Sequence, residues 1–169
     1  YKWPADQALA LAGVALYDRI HGTSLAAEPA AGWLSSMADI STDGLHPLSL
    51  IAPTAMPIDV SGTLLSPMPN AETPRGSALS PTIFYMAQFA PEEAASLYER
   101  YRAARLDTVL GFGGFREWPG AGGSDIEGGP VVLGLGSIAT ATGLAPARVF
   151  QDQTAYTTIL RSALVAGVP

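Results

Sequence analysis

Residues 75–105 read RGSALSPTIFYMAQFAPEEAASLYERYRAAR, and their reading decides the fold. Ile83, Phe84, Met86, Ala87 and Phe89 continue a helical pattern that either Ser77 or Ser80 is suited to cap, with Pro81 tolerated in a first turn. Ala90-Pro91 then turns straight into a second helix. Glu92 and Glu93 stand in its first turn and Arg100, Arg102 and Arg105 towards its end, the order the helix dipole favours. Leu97, Tyr101 and Ala104 form its expected buried stripe. Two helices joined by so short a turn make a helical hairpin.

Working outward, the same unit recurs on both sides. Trp3-Pro4-Ala5-Asp6 places a proline at a first helical position and an acid in the first turn. Ala5, Leu9, Ala12, Leu16 and Ile20 give an apolar stripe, and His21-Gly22 is a stop signal. A second helix is predicted from about Glu28 to Ala38, carrying Trp33, Leu34 and Met37. On the C-terminal side, Pro130 restarts a helix through Val131, Leu133, Leu135, Ile138 and Ala141. Gly136, Ala139 and Gly143 line one side of it and admit a neighbouring backbone. Ala145-Pro146 marks the next turn, and a final helix runs to about Val165.

The expected fold is therefore all-α, one domain over residues 1–169 made of three helix pairs at roughly 4–38, 76–106 and 130–165. That alternation predicts a helical-hairpin array or toroid. Tyr1-Lys2-Trp3-Pro4 reads as the interior of a longer polypeptide. Three pairs cannot close a ring of six, so the remainder is expected from missing chain or from a homo-oligomer. Between the first two pairs, Pro47, Pro53, Pro57, Pro67, Pro69 and Pro74 forbid a long helix. Ile58-Asp59-Val60 and Thr63-Leu64-Leu65 around Ser61-Gly62 predict a small β-hairpin within the 40–74 loop.

Composition narrows the function classes. A net charge of −6 and a pI near 4.7 argue against nucleic acid, which needs clustered Lys and Arg. With no cysteine there is no disulfide, thiolate nucleophile or cysteine-ligated metal. His21 and His46 lack metal-ligand spacing, and neither a Gly-x-Ser-x-Gly elbow nor a phosphate-binding loop is present, so no metal or cofactor is expected. The uncharged stretch 128–147 approaches spanning length, yet its glycines and Pro130 fit a tightly packed core helix rather than a membrane span.

The loops before Pro4, Arg75 and Pro130 carry the chemistry. In an array, successive first helices point the same way, so these loops gather Asp6, Arg75, Asp125 and Glu127 at one end, where helix N-termini favour anions. Two carboxylates beside glycines can divide into general acid and base or nucleophile. Asp125 and Glu127, two residues apart, would fall on opposite sides of a regular element, which makes Asp6 the better partner for either. Their plainer readings are a cap for Asp125, solvation for Glu127 and a first-turn acid for Asp6. Arg75 either clamps a substrate carboxylate or pairs with Asp125 or Glu127. Trp118, Phe112, Phe115 and Trp3 either form a platform for sugar or terpenoid or anchor their loops. Arg116 is a binding candidate or a local ion pair with Glu117. His46, in the loop after the first pair, is within reach of the site.

Four runs carry a family resemblance: Trp3-Pro4-Ala5-Asp6, residues 74–80 (PRGSALS), residues 114–119 (GFREWP) and residues 124–130 (SDIEGGP). They resemble bacterial proteins similar to linalool dehydratase/isomerase, among the six-hairpin (α/α)6-toroid proteins that include many glycosidases. The resemblance implies a toroid with its site at the centre of one end, resting here on Asp6, Arg75, Asp125 and Glu127. Linalool dehydratase/isomerase is associated with catalytic cysteines, and this chain departs from it in having none. The leading expectation is a carbohydrate-active hydrolase or lyase acting on a glycan or small molecule through carboxylates. The alternatives are a cysteine-free relative of the dehydratase acting on a small alcohol, or a non-catalytic glycan-binding envelope protein. Bacterial cytoplasm and periplasm or cell envelope fit equally.

Overall fold

Six helices and two short β-ribbons follow one another in the computed structural model, which describes residues 3–47, 73–120, 122–124 and 128–165. The first pair is α1 (Pro4–His21) and α2 (Ala27–Ile40), and the second is α3 (Gly76–Met86) and α4 (Pro91–Arg105). Strands β1 (Leu106–Val109) and β2 (Phe112–Phe115) form an antiparallel ribbon, as do β3 (Val131–Val132) and β4 (Leu135–Gly136). The third pair is α5 (Ser137–Val149) and α6 (Gln153–Val165). The predicted β-hairpin at 58–65 lies outside the described residues. No helix among the described residues is long and apolar enough to cross a membrane.

The first helices of the three pairs stand side by side, with α3 between α1 and α5. Contacts between α3 and α5 fix their relative direction: a Cβ on Gly76 would meet the Ala139 methyl at 2.7 Å, and one on Gly143 would lie 3.5 Å from the Ser80 hydroxyl. Equal steps along both helices mean that they run parallel. Arg19 near the end of α1 donates to Gln88 just past α3, so α1 runs the same way. Small residues make this closeness possible. Ala139 and Gly143 let Ser80 on α3 reach across to donate to the Ala139 carbonyl at 3.0 Å while sharing a hydrogen bond with Tyr101 at 2.8 Å.

The core lies beneath this row. Leu79, Ile83 and Met86 of α3 meet Leu97, Tyr98 and Tyr101 of α4, with Trp33 and Met37 from α2 and Ile159 from α6. Phe115 at the end of β2 is fully buried and stacks on Tyr101, ring centroids 4.4 Å apart. Asp18 closes the first pair, its carboxylate accepting from the amides of Leu25 and Ala26 at the start of α2 and from the Thr23 hydroxyl. These bonds hold its carboxyl below the usual range, the Thr23 bond most strongly. Gly22, at φ 67°, ends α1 in the left-handed conformation that glycine adopts without penalty.

Several elements differ from the sequence expectation. The third pair's first helix begins at Ser137 instead of Pro130, because Val131 to Gly136 folds back on itself as β3–β4. Pro146 lies inside α5, not at the turn, which falls at Phe150 to Asp152. Arg75 is the residue before α3, so neither Ser77 nor Ser80 caps it, and Pro81 is its sixth residue. On α1 the buried positions are Pro4, Ala8, Ala12 and Ala15, while Leu9, Leu16 and Ile20 face outward, since close helix packing selects the small side chains. On α4, Ala104 is exposed and Ala94, Tyr98 and Arg105 join Leu97 and Tyr101 inside.

Both ribbons turn through the same dipeptide. Leu110-Gly111 and Leu133-Gly134 have positive φ at both residues (52° and 87°, 55° and 83°), which is the two-residue hairpin geometry that matches strand twist. Leucine in this conformation is strained by about 1 kcal/mol.

Candidate functional site

Where α3 and α5 begin, a buried ion pair joins them. Glu117, two residues beyond β2, is fully buried and so is Arg75. The Glu117 carboxylate accepts from Arg75 Nε at 2.9 Å, from the Ser77 amide at 3.0 Å and from the Ser77 hydroxyl at 2.6 Å. The Gly76 amide donates to its backbone carbonyl at 3.0 Å. A carboxylate against the first turn of α3 also meets the positive end of the helix dipole. Glycine backbones seal the pair: a Cβ on Gly128 would lie 2.5 Å from Arg75 Nη2, and one on Gly136 would lie 2.8 Å from Glu117 Oε2. The Arg75 guanidinium sits 4.3 Å from the Trp118 ring centroid, a cation–π contact. Trp118 in turn donates to the Gly123 carbonyl at 2.9 Å.

Among the predicted site residues, then, Arg75 and Trp118 come together, around Glu117. Arg75 pairs with Glu117, and the expected local pair of Arg116 with Glu117 does not form; the expected pairing of Arg75 with Asp125 or Glu127 falls on residues outside the described ones. Neighbours in extended chain point to opposite sides, so with Glu117 turned inward Arg116 turns out. There it binds Asp107 across the ribbon, Nε to Oδ2 at 2.7 Å. Asp107 is held below the usual carboxylate range by the Thr108 amide and then by Arg116. Phe115 is an anchor rather than part of a platform, while Phe112 is partly exposed. Trp3 precedes α1 and is half-buried, and Asp6 is exposed in the first turn of that helix. Asp6 makes no hydrogen bond or ion pair with the Arg75–Glu117 group among the described residues. Asp125 and Glu127 lie outside the described residues.

His46 is buried elsewhere. Its ring meets Trp33 edge-on at 5.5 Å, in a turn whose Gly44 carbonyl accepts from Arg100. Burial, and secondarily the Arg100 charge, push its imidazole from 6.5 down to about 4. Among the described residues, no group of three or more His, Asp or Glu side chains is placed to hold a metal.

A concave feature beside the ion pair is apolar, with the Gly136 backbone between the two. A groove of about 470 Å³ runs between the ribbons and the third helix pair. Phe112, Leu133, Leu135, Leu144 and Ile159 line it, with Pro130, Val132, Ala141 and Ala163. Three hydroxyls reach its wall. Thr140 is committed to the Phe115 amide at 3.1 Å, and Ser162 to the Gly113 amide at 2.6 Å and the Thr158 carbonyl. Ser137, exposed at the start of α5, has its hydroxyl available.

The sequence reading missed both Glu117 and the groove. The twice-used Val-Leu-Gly, at 109–111 and 132–134, was the signal that would have shown two ribbons framing a hollow. Compared with known proteins, the chain matches no family model, no curated protein and no solved structure.

Proposed function

We propose that this chain binds a compact, mostly hydrocarbon alcohol in the groove between the ribbons and the third helix pair. The observation that carries this reading is the lining: a hollow of about 470 Å³ walled almost wholly by apolar side chains, with Ser137 as its available hydroxyl. That volume lies in the range of small-ligand sites, and such a wall rewards an apolar body with one polar group. This corresponds to a cysteine-free relative of the linalool dehydratase/isomerase-like proteins, with the three pairs as part of a toroid. Asp125 and Glu127, a few residues before Pro130 on the groove wall, are the acids such an enzyme would use as proton donor and acceptor.

A carbohydrate hydrolase or glycan binder draws less support. Glu117, Asp107 and Asp152 are each held by an arginine, Asp6 stands in solvent, and Trp118 is occupied by Arg75. Calorimetric titration with linalool as the probe, against cello-oligosaccharides, separates the readings. Heat is expected with linalool and not with the saccharides, and Ala141→Trp, which fills the groove from its exposed wall, should abolish it. Saccharide binding or hydrolysis lost in Asp125→Asn would overturn the proposal in favour of the carboxylate reading, and no binding of linalool would end it.

A further inference from the structure

Helix α1 buries Ala8, Ala12 and Ala15 and leaves several of its large side chains outside. Leu9 is 49% exposed, Leu16 50%, Tyr17 49% and Ile20 68%. Scattered exposed leucines need no explanation, but these are not scattered. Asp6, Leu9, Gly13, Leu16 and Ile20 succeed one another at intervals of three, four, three and four, the spacing of a coiled-coil seam. Every one of them is exposed, and a Cβ on Gly13 would meet nothing within 4 Å. The seam lies beside, not on, the Ala8–Ala12–Ala15 face that α3 covers.

We infer that this seam pairs α1 with the same helix of a second copy of the chain, antiparallel and about a two-fold axis. The seam is self-complementary in that orientation. Gly13 stands midway between Asp6 and Ile20, so an axis through it lets the two backbones approach and sets Leu9 against Tyr17 of the partner subunit. The charges select the same orientation. Asp6 is in the first turn of α1, and Arg19 and His21 are in its last. Antiparallel pairing brings each Asp6 to the basic end of the other helix, and opposed helix dipoles add to the preference; parallel pairing would stack Asp6 on Asp6. An isologous contact of this kind closes on itself as a dimer. It leaves the groove between the ribbons and the third pair open in both copies.

Sedimentation of the whole chain tests this directly. A monomer–dimer equilibrium is expected, and Leu9→Lys and Leu16→Lys should each leave a folded monomer, because both positions are exposed within the chain. Asp6→Arg and Arg19→Asp should each be monomeric alone, yet form a heterodimer when mixed, since the mixed pair restores opposite charges at both ends. A wild-type chain that stays monomeric at every concentration would overturn the inference. So would a dimer indifferent to Leu16→Lys, or charge variants that do not recombine.

Discussion

Replacing Glu117 with glutamine changes almost no volume but removes the charge that Arg75 faces in a sealed site. The wild-type carboxylate receives three donors, from Arg75 Nε and from the Ser77 amide and hydroxyl. Glutamine offers one oxygen, and its NH2 must then point at one of those donors. The guanidinium stays buried beneath the Gly128 backbone and loses the Glu117 charge. Breaking one side of a buried ion pair costs about 3–5 kcal/mol. For a chain of this size that is a fall in Tm of roughly 6–20 °C, at about 2–4 °C per kcal/mol. Urea unfolding followed by far-ultraviolet circular dichroism measures it, with an unchanged slope showing that only stability moved. Adding Arg75→Met to Glu117→Gln should recover part of the loss, because the guanidinium no longer faces the glutamine amide. A loss below about 1 kcal/mol for Glu117→Gln would refute the reasoning, since that is what a solvent-screened surface pair gives.

Acidification should weaken the fold through His46, whose folded pKa of about 4 lies below its ordinary 6.5. The unfolded chain then binds the proton more tightly, so this contribution is complete above pH 6.5 and is lost as pH falls towards 4. Its size is roughly 3 kcal/mol, and the difference between wild type and His46→Phe across that window reads it. Leu110→Asn should stabilise by up to about 1 kcal/mol, because Leu110 is 81% exposed at φ 52° and asparagine tolerates that conformation better; an unchanged melting temperature would argue against strain. Two glycine substitutions should differ in sign. Gly32→Ala, with open space around it, should gain up to about 1 kcal/mol of helix propensity. Gly143→Val, whose Cβ would lie 2.5 Å from the Phe115 ring, should lose about 1–3 kcal/mol by overpacking.

The helix hairpins were legible where local signals act alone. Pro91 at the first position of α4, with acids first and arginines last, marks that helix with no help from the rest of the fold. The close approach along Ala139 and Gly143 was readable too, because two small residues one turn apart have few other uses in a buried helix. What failed was governed by partners distant in sequence. Val131, Leu133 and Leu135 suit a helix by apolarity, yet Arg116 and Glu117 supply an edge that draws Leu135 and Gly134 into bridges. Large residues on α1 read as its inner face, but α3 lies so near that only alanines fit there. At the site, Arg75 was recognised as a residue needing a carboxylate. That Glu117 reaches it was set by the side of the chain on which β2 turns inward, a one-residue matter of register.

The direct test of the groove is a backbone-amide NMR spectrum of the chain titrated with linalool. The account predicts shifts concentrated at Gly113, Thr140, Ala141, Leu144, Ile159 and Ser162, which line the groove, with Trp118 and His46 unmoved. Shifts confined to Trp118 and its neighbours, or no shift at any groove residue, would contradict it.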